Sequence, residues 1–169
     1  MVQHWLLKSE PDSFGIDRLE HEGRTEWSGV RNYQARNHMK SMRLGDLGFF
    51  YHSSTKVPAV VGIVRVTREA YPDFTARDRG GPYYDPRATE AKPIWEMVDV
   101  AFERRLTYAV TLASMRANPA LAATMVLLRR GSRLSVQPVH PREWDIVLAM
   151  SETPPEQHRD PRATSTKQH

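Results

Sequence analysis

The chain has no cysteine among its 169 residues. That one absence excludes disulfides, thiol nucleophiles, iron–sulfur clusters and thiolate zinc sites together. No apolar run approaches the roughly 20 residues of a membrane span, so no membrane association is expected. The opening "MVQHWLLKSEPD" has neither a basic leader nor a small-residue cleavage site, and reads as a first strand rather than a signal peptide. Without a visible targeting signal, a cytoplasmic site is the default expectation. GxGxxG, a phosphate loop, HExxH and GxSxG are missing as well. The seven histidines are scattered with no pair at metal-ligand spacing, so neither a metal nor a cofactor is expected. A Ser-His-acid triple can be drawn around His52 and Ser53, but such triples arise by chance in almost any chain, because their geometry is spatial. No catalytic set is assigned.

What is present suits a single globular domain with one core. The formal net charge is +4. After Met150 the charges balance, Arg159, Arg162 and Lys167 against Glu152, Glu156 and Asp160, so the positive excess sits on the folded body. An excess of this kind fits an anionic partner, although many basic proteins bind none. "SETPPEQHRDPRATSTKQH", residues 151–169, is rich in proline and polar residues without an apolar pattern and is expected to be a disordered tail. The domain proper then spans residues 1–150.

The pattern predicts a strand at "QHWLLKSE", then a short helix in "FGIDRLEHEG" with Gly15 as its cap and Gly23 at its end. Asn32 is placed to cap a helix from Tyr33 to about Met42, in which Ala35, Met39 and Met42 form a core-facing stripe. "DLGFFYHS" and "AVVGIVRVTREA" read as successive strands, with Gly62 marking a bulge or a close backbone approach. A long connection rich in tyrosine and turn residues precedes the strand "IWEMVDVAFERRL". Thr111 caps one short helix, and Asn118-Pro119 opens another that is expected to run to Arg129. "RLSVQPV" is a last strand and "HPREWDIVLAM" a last helix. Five or six strands with four or five short helices, not strictly alternating, favour an α+β mixed barrel flanked by short helices over a doubly wound sheet.

The stretch "WSGVRNYQARNHMKSM", residues 27–42, holds more amides and rings than a packing helix needs. Trp27 lies just before the Ser28-Gly29 bend, and Asn32, Tyr33 and Asn37 follow. A flat ring beside amide side chains is what nucleobase recognition requires: the ring stacks on the base face and polar groups read its edge. A lone tryptophan is nonetheless more often core than ligand platform. "KSEP" ends the first strand, where Lys8 and Ser9 either rim a pocket or meet solvent. In "FFYHS", Phe49 and Tyr51 face one way and Phe50 and His52 the other, so Tyr51 is a core ring or a pocket wall, and Ser53 falls just past the strand. "RRGSRLS" sets arginines around a glycine turn, a solvated turn or a phosphate contact.

Six blocks in order, "WLLKSEP", "WSGVRNYQARNHMKSMRLGD", "FFYHSS", "GIVRVTREAYPDFTA", "YYDP" and "SRLSVQPV", resemble the EVE domain family of the PUA-like superfamily, to which YTH readers are more distantly similar. The resemblance covers residues 3 to about 149. It implies a PUA-like mixed β-barrel with a concave pocket for a modified base, chiefly a methylated or hydroxymethylated cytosine in DNA. Carried over by block, Lys8, Ser9, Trp27, Val30, Asn32, Tyr33, Asn37, Tyr51, His52, Ser53, Ser132 and Arg133 would line or rim that pocket. Trp27 would stack on the base, Asn32 and Asn37 would read an edge or brace the walls, and Arg36 and Arg130 would meet phosphates. The implied partner is nucleic acid, with no obligate protein partner, and the implied role is binding rather than catalysis. Two other readings stay open. One is a small PUA-like hydrolase of a modified nucleoside or amide, using Lys8 with Glu10 or His52. The other is an RNA-binding domain indifferent to modification.

Overall fold

The computed structural model describes residues 1–155. Its centre is a six-stranded mixed sheet built from β1 (His4–Ser9), β2 (Arg24–Trp27), β3 (Leu47–His52), β4 (Ala59–Pro72), β5 (Glu96–Thr111) and β6 (Val136–Val139). Their order is β2-β5-β4-β3-β1-β6, with β1 parallel to β3 and every other pair antiparallel. The sheet is mixed as expected, but it is open rather than closed into a barrel. Its edges, β2 and β6, are only four residues long, and Pro138 in β6 has no N–H to offer a further strand.

Short helices cover both faces: α1 (Pro11–Phe14), α2 (Ile16–Glu22), α3 (Tyr33–Ser41), α4 (Leu112–Arg116), α5 (Pro119–Ala122) and α6 (Pro141–Ser151). Strand alternation sorts the apolar side chains between the faces. Leu7 and Phe50 join Ile16, Leu19, Ala35, Met39 and Met42 in one core, under α2 and α3. Leu6, Phe49 and Tyr51 join Met115, Leu121, Trp144 and Val147 in the other, under α4, α5 and α6. Tyr51 is therefore a core ring. The stripe read in α3 is fully buried, and Asn32 caps that helix by accepting from the Ala35 N–H at 2.9 Å. Gly62 lies among the register shifts between β4 and β5, where an added Cβ would meet Ile16 at 2.7 Å and the Arg104 carbonyl at 3.0 Å.

One local expectation changes. The helix opened by Asn118-Pro119 ends at Ala122 rather than Arg129. The chain breaks there into a 3-10 turn, Val126–Leu128, which sends Met125 and Leu127 into the second core while the Thr124 hydroxyl donates to Glu143. Strand β2 had no clear signal, because it is four residues long and gains its ladder only by pairing Arg24–Trp27 with residues 98–101 of β5. The expected boundary at residue 150 falls inside α6, whose last residue, Ser151, is fully buried. The tail expected beyond it lies, from residue 156 onward, outside the described residues.

The long connection between β4 and β5 is a small module of its own. Ala76, Ala88 and Trp95 form a separate apolar cluster, and the Trp95 indole N–H donates to Asp85 at 2.8 Å. Ile94, a β-branched residue, sits at φ 61°, where the Trp95 N–H turns back to the Pro93 carbonyl at 2.6 Å. Such backbone persists only where its surroundings hold it. Here the Arg36 guanidinium donates to the Ile94 carbonyl at 2.9 Å and Tyr33 stacks on Trp95, with ring centroids 4.8 Å apart.

Candidate nucleic-acid interface

Where β1 and β2 end, their termini, α1 and the 28–30 bend enclose a cleft of about 520 Å³. That volume lies within the range of small-molecule sites. Lys8, Ser9, Trp27 and Val30 line it, four of the residues expected there. Glu10, Phe14, Arg18, Glu26, Ser28 and Tyr83 line it as well, and sequence reasoning did not single these out as base-contacting. The tyrosine-rich connection and the "YYDP" block gave hints of Tyr83, and Glu10 entered only as a carboxylate of the hydrolase reading. Phe14 and Arg18 carried no signal beyond a helix start and a helix face.

Trp27 is 8% exposed and meets Phe50 edge-on, with centroids 5.7 Å apart and planes at 90°. That contact anchors the indole without stacking on it. The indole N–H makes no hydrogen bond among the described residues, in contrast to Trp5, which donates to Asp46, and Trp95, which donates to Asp85. Val30 is buried beside it. The Ser9 hydroxyl is occupied by the Phe14 carbonyl and so braces the turn into α1. Lys8 has no ion-pair partner among the described residues, and burial lowers its pKa from the ordinary value. The Ser28 hydroxyl and the Glu10 and Glu26 carboxylates likewise make no side-chain hydrogen bond or ion pair among the described residues, although Glu26 lies near enough to Tyr71 to help raise its pKa. The cleft thus offers donors and acceptors together around a ring.

The far wall is set from a distance. Gly29, at φ +79°, leaves room for the Tyr83 ring: a Cβ there would lie 2.9 Å from it. The Gly29 N–H donates to Asp73 at 2.8 Å. Arg31 ties the same regions together by donating to the Tyr83 carbonyl, Asp73 and Thr75 at 3.0, 3.0 and 3.1 Å. Asp73 is buried and the Arg31 side chain is 22% exposed, making this the most protected ion pair among the described residues.

The remaining expected residues lie elsewhere. The Asn32 amide oxygen is occupied by its cap. Tyr33 is on Trp95, and Arg36 lies over both rings while donating to Asn37. Tyr51 is in the second core. His52 Nε2 accepts from the Ile16 N–H at 3.1 Å, and burial lowers its pKa, so it is held neutral and occupied. Through its backbone N–H, Ser53 donates to the Ser9 carbonyl at 3.0 Å. The Ser132 hydroxyl is buried without a partner, and Arg130 and Arg133 are exposed beside it on the 129–133 turn, with no ion pair among the described residues. None of these lines the cleft. No group of three His, Asp or Glu side chains is arranged to hold a metal among the described residues.

An open α+β sheet carrying an aromatic cleft at one strand end defines a compact ligand-binding module. The chain belongs to the EVE domain family, whose model matches residues 3–150. It is 42% identical to human thymocyte nuclear protein 1 over 173 aligned residues, covering 92% of this chain and 76% of that protein. It is also similar to the crystal structure of the human THYN1 protein in complex with 5-methylcytosine-containing DNA: 39% identity, TM-score 0.84, covering 90% of this chain and 99% of that one. A YTH domain solved with N6-methyladenosine RNA, from Zygosaccharomyces rouxii, shares the fold alone, at 13% identity and TM-score 0.52 over 89% of this chain and 86% of that one. The cytoplasmic expectation does not stand, since the relatives are named as nuclear proteins.

Proposed function

We propose that this protein is a reader of modified bases, taking 5-methylcytosine of DNA out of the duplex and into the Trp27 cleft without turning it over. The observation that carries the reading is the cleft's composition. The Trp27 ring, held at a right angle to Phe50, shares the cleft with the donors Ser28 and Lys8 and the Glu10 and Glu26 carboxylates, none of them hydrogen-bonded or ion-paired through its side chain among the described residues. Cytosine presents an amino donor beside ring and carbonyl acceptors, and a carboxylate is a natural acceptor for that amino group. A phosphate would meet two acids here, so the cleft suits a base and not the backbone. The DNA complex of the human relative supports the same reading.

Extruding the base costs a few kcal/mol, which stacking on Trp27 and the contacts of the edge must offset. The 5-methyl group adds about 0.8 kcal/mol of apolar burial, so selectivity over plain cytosine is modest unless shape sharpens it. Trp27→Ala should weaken binding of a 5-methylcytosine oligonucleotide by about 1–3 kcal/mol, the worth of one stacked base. The test is a titration with duplexes carrying cytosine, 5-methylcytosine, 5-hydroxymethylcytosine or N6-methyladenine. Equal affinity for all four, or an unaffected Trp27→Ala variant, sinks the reading. Conversion of any of these bases to a product sinks the claim of binding without turnover.

A further inference from the structure

We infer that the outer face of the β4–β5 connection is a second nucleic-acid surface, which holds the DNA strand flanking the base in the Trp27 cleft. The inference rests on the base-reading proposal and extends it past the cleft. Of the eight large apolar side chains exposed among the described residues, four are aromatic: Phe74, Tyr83 and Tyr84, at 58%, 46% and 38% exposure, lie in this connection, and Tyr33, at 49%, stacks on its Trp95. Exposed rings grouped beside unpaired cations are a platform for single-stranded nucleic acid, in which bases stack and arginines meet phosphates.

The cations are present. Tyr84 lines a hollow of about 390 Å³ with Arg77 and Arg79. Neither arginine has an ion pair among the described residues, whereas Arg31 and Arg87 nearby are held by Asp73 and Asp85. The Asp78 carboxylate between them accepts from the Gly80 N–H at 3.1 Å and pairs with neither. Glu90 is the one acid lining the hollow. Continuity with the cleft is covalent: Tyr83 lines the cleft and Tyr84, the next residue, lines the hollow. A strand whose base enters the cleft past Tyr83 thus meets the hollow at the neighbouring residue.

The connection is also built to hold its shape. Asp85 accepts from Trp95 and Arg87, the Asp85 N–H donates to the Ala76 carbonyl at 2.9 Å, and Arg31 ties Thr75 and the Tyr83 carbonyl to the body. A surface already ordered loses little entropy on binding.

The experiment compares wild type with Arg77→Ala/Arg79→Ala and with Tyr84→Ala. Each is titrated by fluorescence anisotropy with a ten-nucleotide DNA strand carrying one central 5-methylcytosine or plain cytosine, and by calorimetry with the nucleoside 5-methyldeoxycytidine. Melting temperatures confirm that the variants fold. The double variant should bind the oligonucleotide about tenfold more weakly, with a log–log salt slope shallower by about 1.4, the value for two phosphates on a single strand. Tyr84→Ala should lose about tenfold through stacking. Nucleoside affinity and the methylated-to-plain ratio should not change. Oligonucleotide affinity within twofold of wild type, or an equal loss for the nucleoside, overturns the inference. A wild-type protein with no preference for the methylated strand sinks the base-reading proposal alone, because the arginine effect on strand affinity is read separately.

Discussion

Phe49 and Phe50 are neighbours in β3, point to opposite faces of the sheet, and each meets a tryptophan. On one face Trp144 stacks flat on Phe49, with centroids 3.9 Å apart and planes at 13°, and His4 lies 4.3 Å away from it. On the other face Trp27 touches Phe50 only edge-on and looks into a cleft. Both rings are nearly buried, at 4% and 8% exposure, so burial does not separate them. Ring orientation does. A tryptophan stacked on another core ring holds the fold together, whereas one that meets its neighbour at a right angle and lines a cleft has surface to offer a ligand.

The comparison breaks most visibly at Trp144. Trp144→Ala should lower unfolding free energy by about 3–5 kcal/mol, read by urea denaturation, while the molecules that stay folded bind DNA unchanged. A loss below about 1 kcal/mol would remove the distinction between the two rings. Arg31→Ala comes next. It leaves the buried Asp73 carboxylate without its cation and should cost about 3 kcal/mol, with Arg31→Lys restoring only part, since an ammonium cannot serve Asp73, Thr75 and the Tyr83 carbonyl together. Full rescue by lysine would show that charge alone matters there. Asn32→Ala sharpens the contrast on a smaller scale. It should cost about 1 kcal/mol of stability as a lost helix cap and leave base affinity unchanged. Lost base selectivity in that variant would return Asn32 to the recognition site.

The smallest effect is a pH dependence. Burial lowers the His52 pKa below its ordinary 6.5, so the folded state binds this proton less readily than the unfolded chain. Its contribution is fully present above pH 6.5 and is lost as the pH falls toward the folded value, because protonating Nε2 breaks the bond from the Ile16 N–H. His4 and His38 shift in the same direction, also by burial. Urea midpoints should fall between pH 7 and pH 5, and His52→Gln should flatten part of that fall. A midpoint that rises on acidification contradicts this sign.

Most of the element order, apart from α1 and β2, was legible because period-two and period-3.6 patterns coincided with caps, but the single core expected is divided by the sheet into two. Asn32, Thr111 and the Ala35-Met39-Met42 stripe are examples in which local chemistry and burial agree. The open sheet was not legible, because closure depends on whether β2 and β6 meet, and nothing within either strand records that. The cleft was half legible. Trp27, Val30, Lys8 and Ser9 share a strand end and a bend, so sequence adjacency tracked space. Glu10, Arg18 and Tyr83 reach the same cleft from a turn, a helix and a connection more than fifty residues away from Trp27. Tyr33 and Arg36 show the converse: their proximity to Trp27 in sequence hides that α3 turns them onto Trp95 and the β4–β5 connection. The amides and rings that mark this segment serve two purposes, a cleft wall up to Val30 and a clamp on the connection from Arg31 onward.

The central claim is that the face of Trp27 receives a base. A crystal structure of this protein with a duplex carrying one 5-methylcytosine tests it most directly. The methylated cytosine is expected to lie extruded from the helix, its ring on the Trp27 indole and its amino group toward Glu10 or Glu26. A methylated cytosine still paired within the duplex, or an extruded base seated away from Trp27, would contradict it.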